Sequence, residues 1–122
     1  MKIVTMCQGG HVRSVALKYI LRYLNAGHHD VIACGWEGNT LETRRMLFDW
    51  ADVIVIMEPQ FEEHVPSEFH CKADGTRRLF CYNVGPDRFG TPFHPELQDL
   101  LMSMIKQHGL FVDEPSTKET KA

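Results

Sequence analysis

The chain of 122 residues carries 13 Lys and Arg against 16 Asp and Glu, a net charge of −3, with 43% hydrophobic and 24% charged residues. That length holds one core of ordinary size, and the composition excludes the disordered, collagen-like and low-complexity classes. The acidic balance argues against a nucleic-acid or membrane-surface binder, and no stretch approaches the ~20 apolar residues that span a bilayer.

Ile3 to Met6 is a β-prone run that stops at Cys7 and Gly9-Gly10. Its apolar stretch is too short for the core of a secretory leader, so the chain is read as cytoplasmic. The four cysteines, Cys7, Cys34, Cys71 and Cys81, are accordingly read as free thiols. Beyond Arg13 the period changes to about 3.6 residues, which sets Leu17, Ile20, Leu21 and Leu24 on one helical face, with Gly27 as a left-handed C-cap. Val31 to Cys34 is the second predicted strand, ended by Gly35. Asn39, followed three residues on by Glu42, has the spacing of a capping box for a helix to about Trp50.

Val53 to Ile56 is apolar at every position, the pattern of a strand buried on both faces. Pro59 opens a short helical segment to about His64. Residues 70–78 are polar with a turn at Asp74-Gly75, and Leu79 to Val84 is the fourth predicted strand. Pro95 opens a last helix in which Leu97, Leu100, Leu101 and Met104 repeat at helical spacing. One domain over residues 1–112 and a disordered tail over 113–122 are expected. His28-His29, Arg44-Arg45 and Arg77-Arg78 read as solvated loop and surface residues.

Strands alternating with helices imply parallel crossovers and an open α/β sheet with helices on both faces. Ligands of such sheets collect at the carboxyl ends of the strands. The first strand ends in Cys7-Gln8-Gly9-Gly10-His11-Val12-Arg13-Ser14, between a strand and a helix. Gly9 and Gly10 tolerate the positive φ that turns successive backbone N–H groups inward, and the following helix adds its positive end. Arg13 brings a planar fork that binds two oxygens of a tetrahedral oxyanion. The same field favours Cys7 as a thiolate, and Ser14 is placed to donate a hydrogen bond to it. The chemistry that fits is attack by sulfur on phosphorus, giving a cysteinyl-phosphate.

The segment resembles the active-site loop of the low-molecular-weight protein tyrosine phosphatases, in which Cys-x5-Arg-Ser lies near the amino terminus. The likeness continues through Ala51-Asp52-Val53-Ile54-Val55-Ile56-Met57-Glu58, similar to the family's third strand. It extends to Val84-Gly85-Pro86-Asp87-Arg88-Phe89-Gly90, similar to its acid loop. The compact bacterial and phage branch of predicted protein tyrosine phosphatases is the nearest in kind. The resemblance implies a four-stranded parallel sheet of order 2-1-3-4. It makes Cys7 the nucleophile, Arg13 the phosphate ligand with the loop residues Gln8, Gly9, Gly10, His11 and Val12, Ser14 the thiolate partner, and Asp87 the general acid and base. Asp49 and Asp52 are poorer acids, Asp52 lying at the amino end of a strand.

The family has Asn where Gly10 stands, a second Cys where Val12 stands and Pro where Val15 stands. Its acid loop reads Asp-Pro where this chain has Pro86-Asp87, and a Tyr pair often stands where this chain has Arg88-Phe89. Trp36 and Phe89 are candidates for the substrate rim, with core packing the competing role. His11 is a rim group or a second proton carrier. No cofactor is expected, and the spacing of Cys71 and Cys81 with His64 and His70 matches no compact zinc knuckle. The substrate class implied is a phosphorylated protein or a small aryl phosphate, with no nucleic acid or membrane partner and an open oligomeric state. Arsenate reduction on the same loop, a phosphocysteine carrier and a non-catalytic phosphoprotein-binding domain are the competing readings. The carrier is disfavoured by Arg13, which its loop does not need.

Overall fold

A computed structural model describes residues 1–24 and 29–108. The expected C-cap at Gly27, the side chain of Leu24, His28 and the expected tail from residue 113 lie outside the described residues. Strand β1 spans Lys2–Cys7, β2 Asp30–Gly35, β3 Val53–Ile56 and β4 Leu79–Cys81. They form one parallel sheet in the order β2-β1-β3-β4. The central strand β1 is buried from Ile3 through Cys7, so both of its faces are covered.

Helix α1, Arg13–Tyr19, follows β1 and runs directly into a π-helical turn at Ile20–Leu24. The apolar stripe is spent on the core, with Leu17, Ile20 and Leu21 all fully buried. Helix α2 spans Leu41–Trp50 and packs against β1. Its amino end departs from the expected capping box. Thr40 is the N-cap, its Oγ1 accepting from the Thr43 N–H at 3.1 Å, while the Asn39 amide donates instead to the Gly35 carbonyl at 2.8 Å. Both residues are good caps, and Asn39 is drawn off by the turn behind it.

A 3₁₀ segment at Pro59–His64 follows β3, as the proline predicts, and a second lies at Ser67–Phe69. The turn at Asp74-Gly75 forms with Gly75 at φ +90° and the Asp74 carboxylate accepting from the Thr76 N–H. β4 is shorter than expected. After Tyr82 donates one more bond to Ile56, the Asn83 carboxamide accepts from the Gly85 N–H, Gly85 takes φ +82°, and the chain leaves the sheet. Helix α3, Pro95–His108, lays Leu97, Leu101 and Ile105 into the core, packing on α1. Full burial of each such side chain contributes about 1.5–3 kcal/mol. Not every paired arginine is a solvated surface group: Arg44 donates to the His64 carbonyl and Arg78 to that of Phe48, with Arg78 lying over the Phe69 ring. Among the described residues no helix is long and apolar enough to cross a membrane.

Candidate active site

The carboxyl end of β1 delivers Cys7 to the edge of the sheet, 3% exposed. Alternation along the strand puts Thr5 and Cys7 on the face that α1 covers. There the Thr5 hydroxyl donates to the Ser14 carbonyl at 2.8 Å, and the Ser14 hydroxyl lies 3.2 Å from the Cys7 sulfur. The Gly10 N–H donates to the same sulfur at 3.2 Å. Two hydrogen bonds thus converge on one sulfur. The first turn of α1 carries neither an acidic side chain nor a capping hydroxyl.

Of the two glycines expected to supply positive φ, only Gly10 does so, at +77°. It is held there by a neighbour that sequence reasoning read only as a strand terminator. A Cβ on Gly10 would lie 2.6 Å from the Gly35 nitrogen, and one on Gly35 would lie 2.5 Å from the Gly9 carbonyl carbon. Main chain therefore packs on main chain. The Trp36 and Glu37 N–H groups donate to the Cys7 and Gln8 carbonyls at 3.1 and 3.0 Å, completing the contact.

Arg13 is 1% exposed, yet its guanidinium is only partly committed. Nη1 donates to the Glu58 carboxylate at 2.5 Å and to the Gly85 carbonyl at 2.8 Å, and the group lies over the Phe61 ring. Nε is buried and makes no hydrogen bond among the described residues. Glu58 also accepts from the Gln60 side chain. The reading from sequence missed Glu58 as a site residue. The available signal was its position: a carboxylate two residues past the fully apolar β3, on the strand paired with β1, emerges on the same edge as Cys7.

The remaining candidates fall into two groups. Gln8, Gly9 and His11 are exposed on the loop and Val12 is half-buried at the start of α1. Asp87 is exposed two residues beyond Gly85, and no hydrogen bond or ion pair engages it among the described residues. Trp36 is half-buried, its ring stacked on His64 at 4.0 Å and edge-on to Phe61, so much of it is already spent on protein. Phe89 corrects the expectation of a substrate rim. It is 5% exposed, part of the core, with the Arg88 guanidinium over its ring. Asp52 sits at the opposite end of the sheet, accepting from the Lys2 N–H at 2.8 Å.

All four cysteines are free. Cys34, the β2 residue paired with Met6, shares Met6's face of the sheet; burial pushes its thiol up to about 12, with the charge of Cys7 adding to the shift and Arg44 opposing it. Cys71 and Cys81 line a cavity of about 270 Å³ with Glu62, His70 and Arg77. Among the described residues no group of three His, Cys, Asp or Glu side chains is placed to hold a metal ion.

No protein-family model matches the chain, and no curated protein does. Solved structures do. A low-molecular-weight protein tyrosine phosphatase from Bacillus subtilis superposes with a TM-score of 0.60 at 17% identity, over 89% of this chain and 97% of that one. The YwlE arginine phosphatase from Geobacillus stearothermophilus gives 0.58 at 15%, over 88% and 92%. A Cys-to-Ser mutant of the YwlE arginine phosphatase with a phosphorylated active-site serine gives 0.57 at 18%, over 90% and 97%. Each superposition takes in about nine-tenths of both chains, and the chain has the fold of the low-molecular-weight protein tyrosine phosphatases.

Proposed function

We propose that the protein is a cysteine-dependent phosphomonoester hydrolase, a protein tyrosine phosphatase, acting on phosphorylated proteins in the cytoplasm. The observation that carries this reading is the unpartnered, buried Nε of Arg13 in the loop that also aims a Gly10 N–H and the Ser14 hydroxyl at the Cys7 sulfur. With Nη1 tied to Glu58 and Gly85, the free edge of the fork is left for oxygens of a phosphoryl group. A nearby fold neighbour carries phosphate on a serine that replaces its active-site cysteine, which supports a phosphoenzyme on this scaffold.

In the first step the Cys7 sulfur attacks phosphorus, the bond to the leaving oxygen breaks, and Asp87 gives that oxygen a proton. In the second, water attacks phosphorus while the Asp87 carboxylate takes its proton. The sulfur–phosphorus bond breaks, orthophosphate leaves, and the thiolate and the Asp87 acid are restored. Ser14 stabilises the departing sulfur in this second step. Gly85 ties the loop that carries Asp87 to Arg13, which supports an approach of the acid to the same cleft.

The test is hydrolysis of a chromogenic aryl phosphate and of phosphotyrosine and phosphoarginine peptides. Cys7→Ser is expected to abolish turnover, and Asp87→Asn to lower kcat about a hundredfold or more with accumulation of phosphoenzyme. Full activity in both variants would remove the mechanism. Turnover of phosphoarginine alone would move the substrate to the side chain named for the YwlE neighbours. Phosphate binding without turnover by the wild type would identify a binding domain, and arsenate-dependent thiol oxidation a reductase. Against the latter stands the placement of Cys34 on the face of the sheet opposite Thr5 and Cys7.

A further inference from the structure

We propose that Glu37 makes the mouth of this site selective for phosphoprotein segments that carry a Lys or Arg beside the phosphorylated residue. The proposal rests on the hydrolase reading and adds to it the charge of the preferred partner.

Glu37 belongs to the turn after β2, and that turn is fastened to the nucleophile loop from several directions. Its own N–H donates to the Gln8 carbonyl at 3.0 Å and the preceding N–H to the Cys7 carbonyl at 3.1 Å. Gly35 lies flat on the backbone of residues 8–10. Asn39 ties the turn from behind by donating to the Gly35 carbonyl at 2.8 Å. The position of Glu37 is therefore set by the same contacts that set the site.

Its carboxylate is held as well. The Gln8 side-chain amide donates to one carboxylate oxygen at 3.1 Å, and the other oxygen has no partner among the described residues. Gln8 is neutral, so this contact orients the charge without cancelling it, and the side chain is exposed. The other charges near the site are treated differently. Arg13 is matched by Glu58, and Arg88, next to Asp87, is matched in both nitrogens by Glu96 at 3.1 and 2.7 Å. Among the described residues no ion pair engages Glu37 or Asp87, both acidic. A phosphoryl dianion would meet amides and the open edge of Arg13 in the loop, while the flanking side chains of its carrier would meet a negative rim.

An exposed pair of this kind acts modestly and mainly on encounter, and it weakens with salt. Two phosphotyrosine peptides, one with flanking Lys and one with flanking Glu, are compared in two measurements. Binding to the Cys7→Ser protein by fluorescence anisotropy reads the preference whether or not the wild type turns over, and turnover by the wild type reads the hydrolase assignment by itself. The Lys peptide is expected to bind roughly threefold to fivefold tighter at low salt. In the double variant with Glu37→Gln the ratio should fall to about one, and Glu37→Lys should invert it. Equal affinities, a preference that survives Glu37→Gln, or no binding of either peptide overturns the proposal. Absence of turnover with the binding preference intact overturns the hydrolase reading and leaves the rim assignment standing.

Discussion

Arg13 is a full charge enclosed by protein, and its stability depends on what lies within reach of each nitrogen. One carboxylate, Glu58, neutralises it, with the Gly85 carbonyl sharing the same Nη1. Removing one member of a buried pair leaves the other uncompensated, a loss of about 3 kcal/mol or more, whereas an isosteric amide keeps a hydrogen bond. Glu58→Ala is expected to lower the unfolding free energy by about that amount and Glu58→Gln by less, both read from urea titrations. Inorganic phosphate should restore more stability to Glu58→Ala than to wild type, because an oxyanion supplies the missing negative charge. A uniform response of all three proteins to phosphate would separate Arg13 from the proposed anion site. The meeting of Cys7, Arg13 and Ser14 on one loop was legible in sequence because a strand, two glycines and a helix start follow one another there. Glu58 was not, because nothing local to it announces that a strand neighbour's arginine ends against it.

At the level of elements, the loop of residues 7–12 and the β2–α2 turn are built against each other with no side chain between them. Gly35→Ala would set a Cβ between 2.5 and 2.8 Å from backbone atoms of residues 8–10, which no rotamer change relieves. The expected result is loss of phosphate affinity and turnover by about a hundredfold, with a lower melting temperature. Gly38→Ala is the contrast. Gly38 has φ +84° with open space around it, so the substitution carries a backbone cost of about 1 kcal/mol and leaves the loop alone. Equal effects at both positions would show that conformational strain, not the close approach, governs Gly35. The strands and α3 were readable from periodicity since burial on this sheet follows it closely. The cap of α2 was misread since Asn39 and Thr40 both satisfy the capping chemistry, and a contact to Gly35 decides between them. Phe89, open in sequence between rim and core, went to the core, since an aromatic after Pro86-Asp87 looks the same in sequence whether its ring faces inward or outward.

For the molecule as a whole, parallel order sends the carboxyl ends of β1, β3 and β4 to one edge, so segments far apart in the chain meet at Arg13. The alternation of strand and helix made that edge foreseeable, although not which atoms would close it. The same enclosed sheet couples a thiol to global stability. Cys34 ordinarily ionises near 9, and burial pushes it up to about 12 in the folded protein. The folded state thus keeps a proton that the unfolded chain releases. The contribution of Cys34 is complete below about pH 9 and is lost as pH rises toward 12. Urea midpoints measured across that range should fall less steeply in Cys34→Ala, and an unchanged slope would sink the assignment. The backbone seat between Gly10 and Gly35 also bears on any attempt to transplant the Cys7–Ser14 loop. A graft of residues 7–14 into a related scaffold would need its glycine seat from the adjoining strand to travel with it, so the heritable unit of this loop geometry is a pair of distant segments, not one contiguous motif.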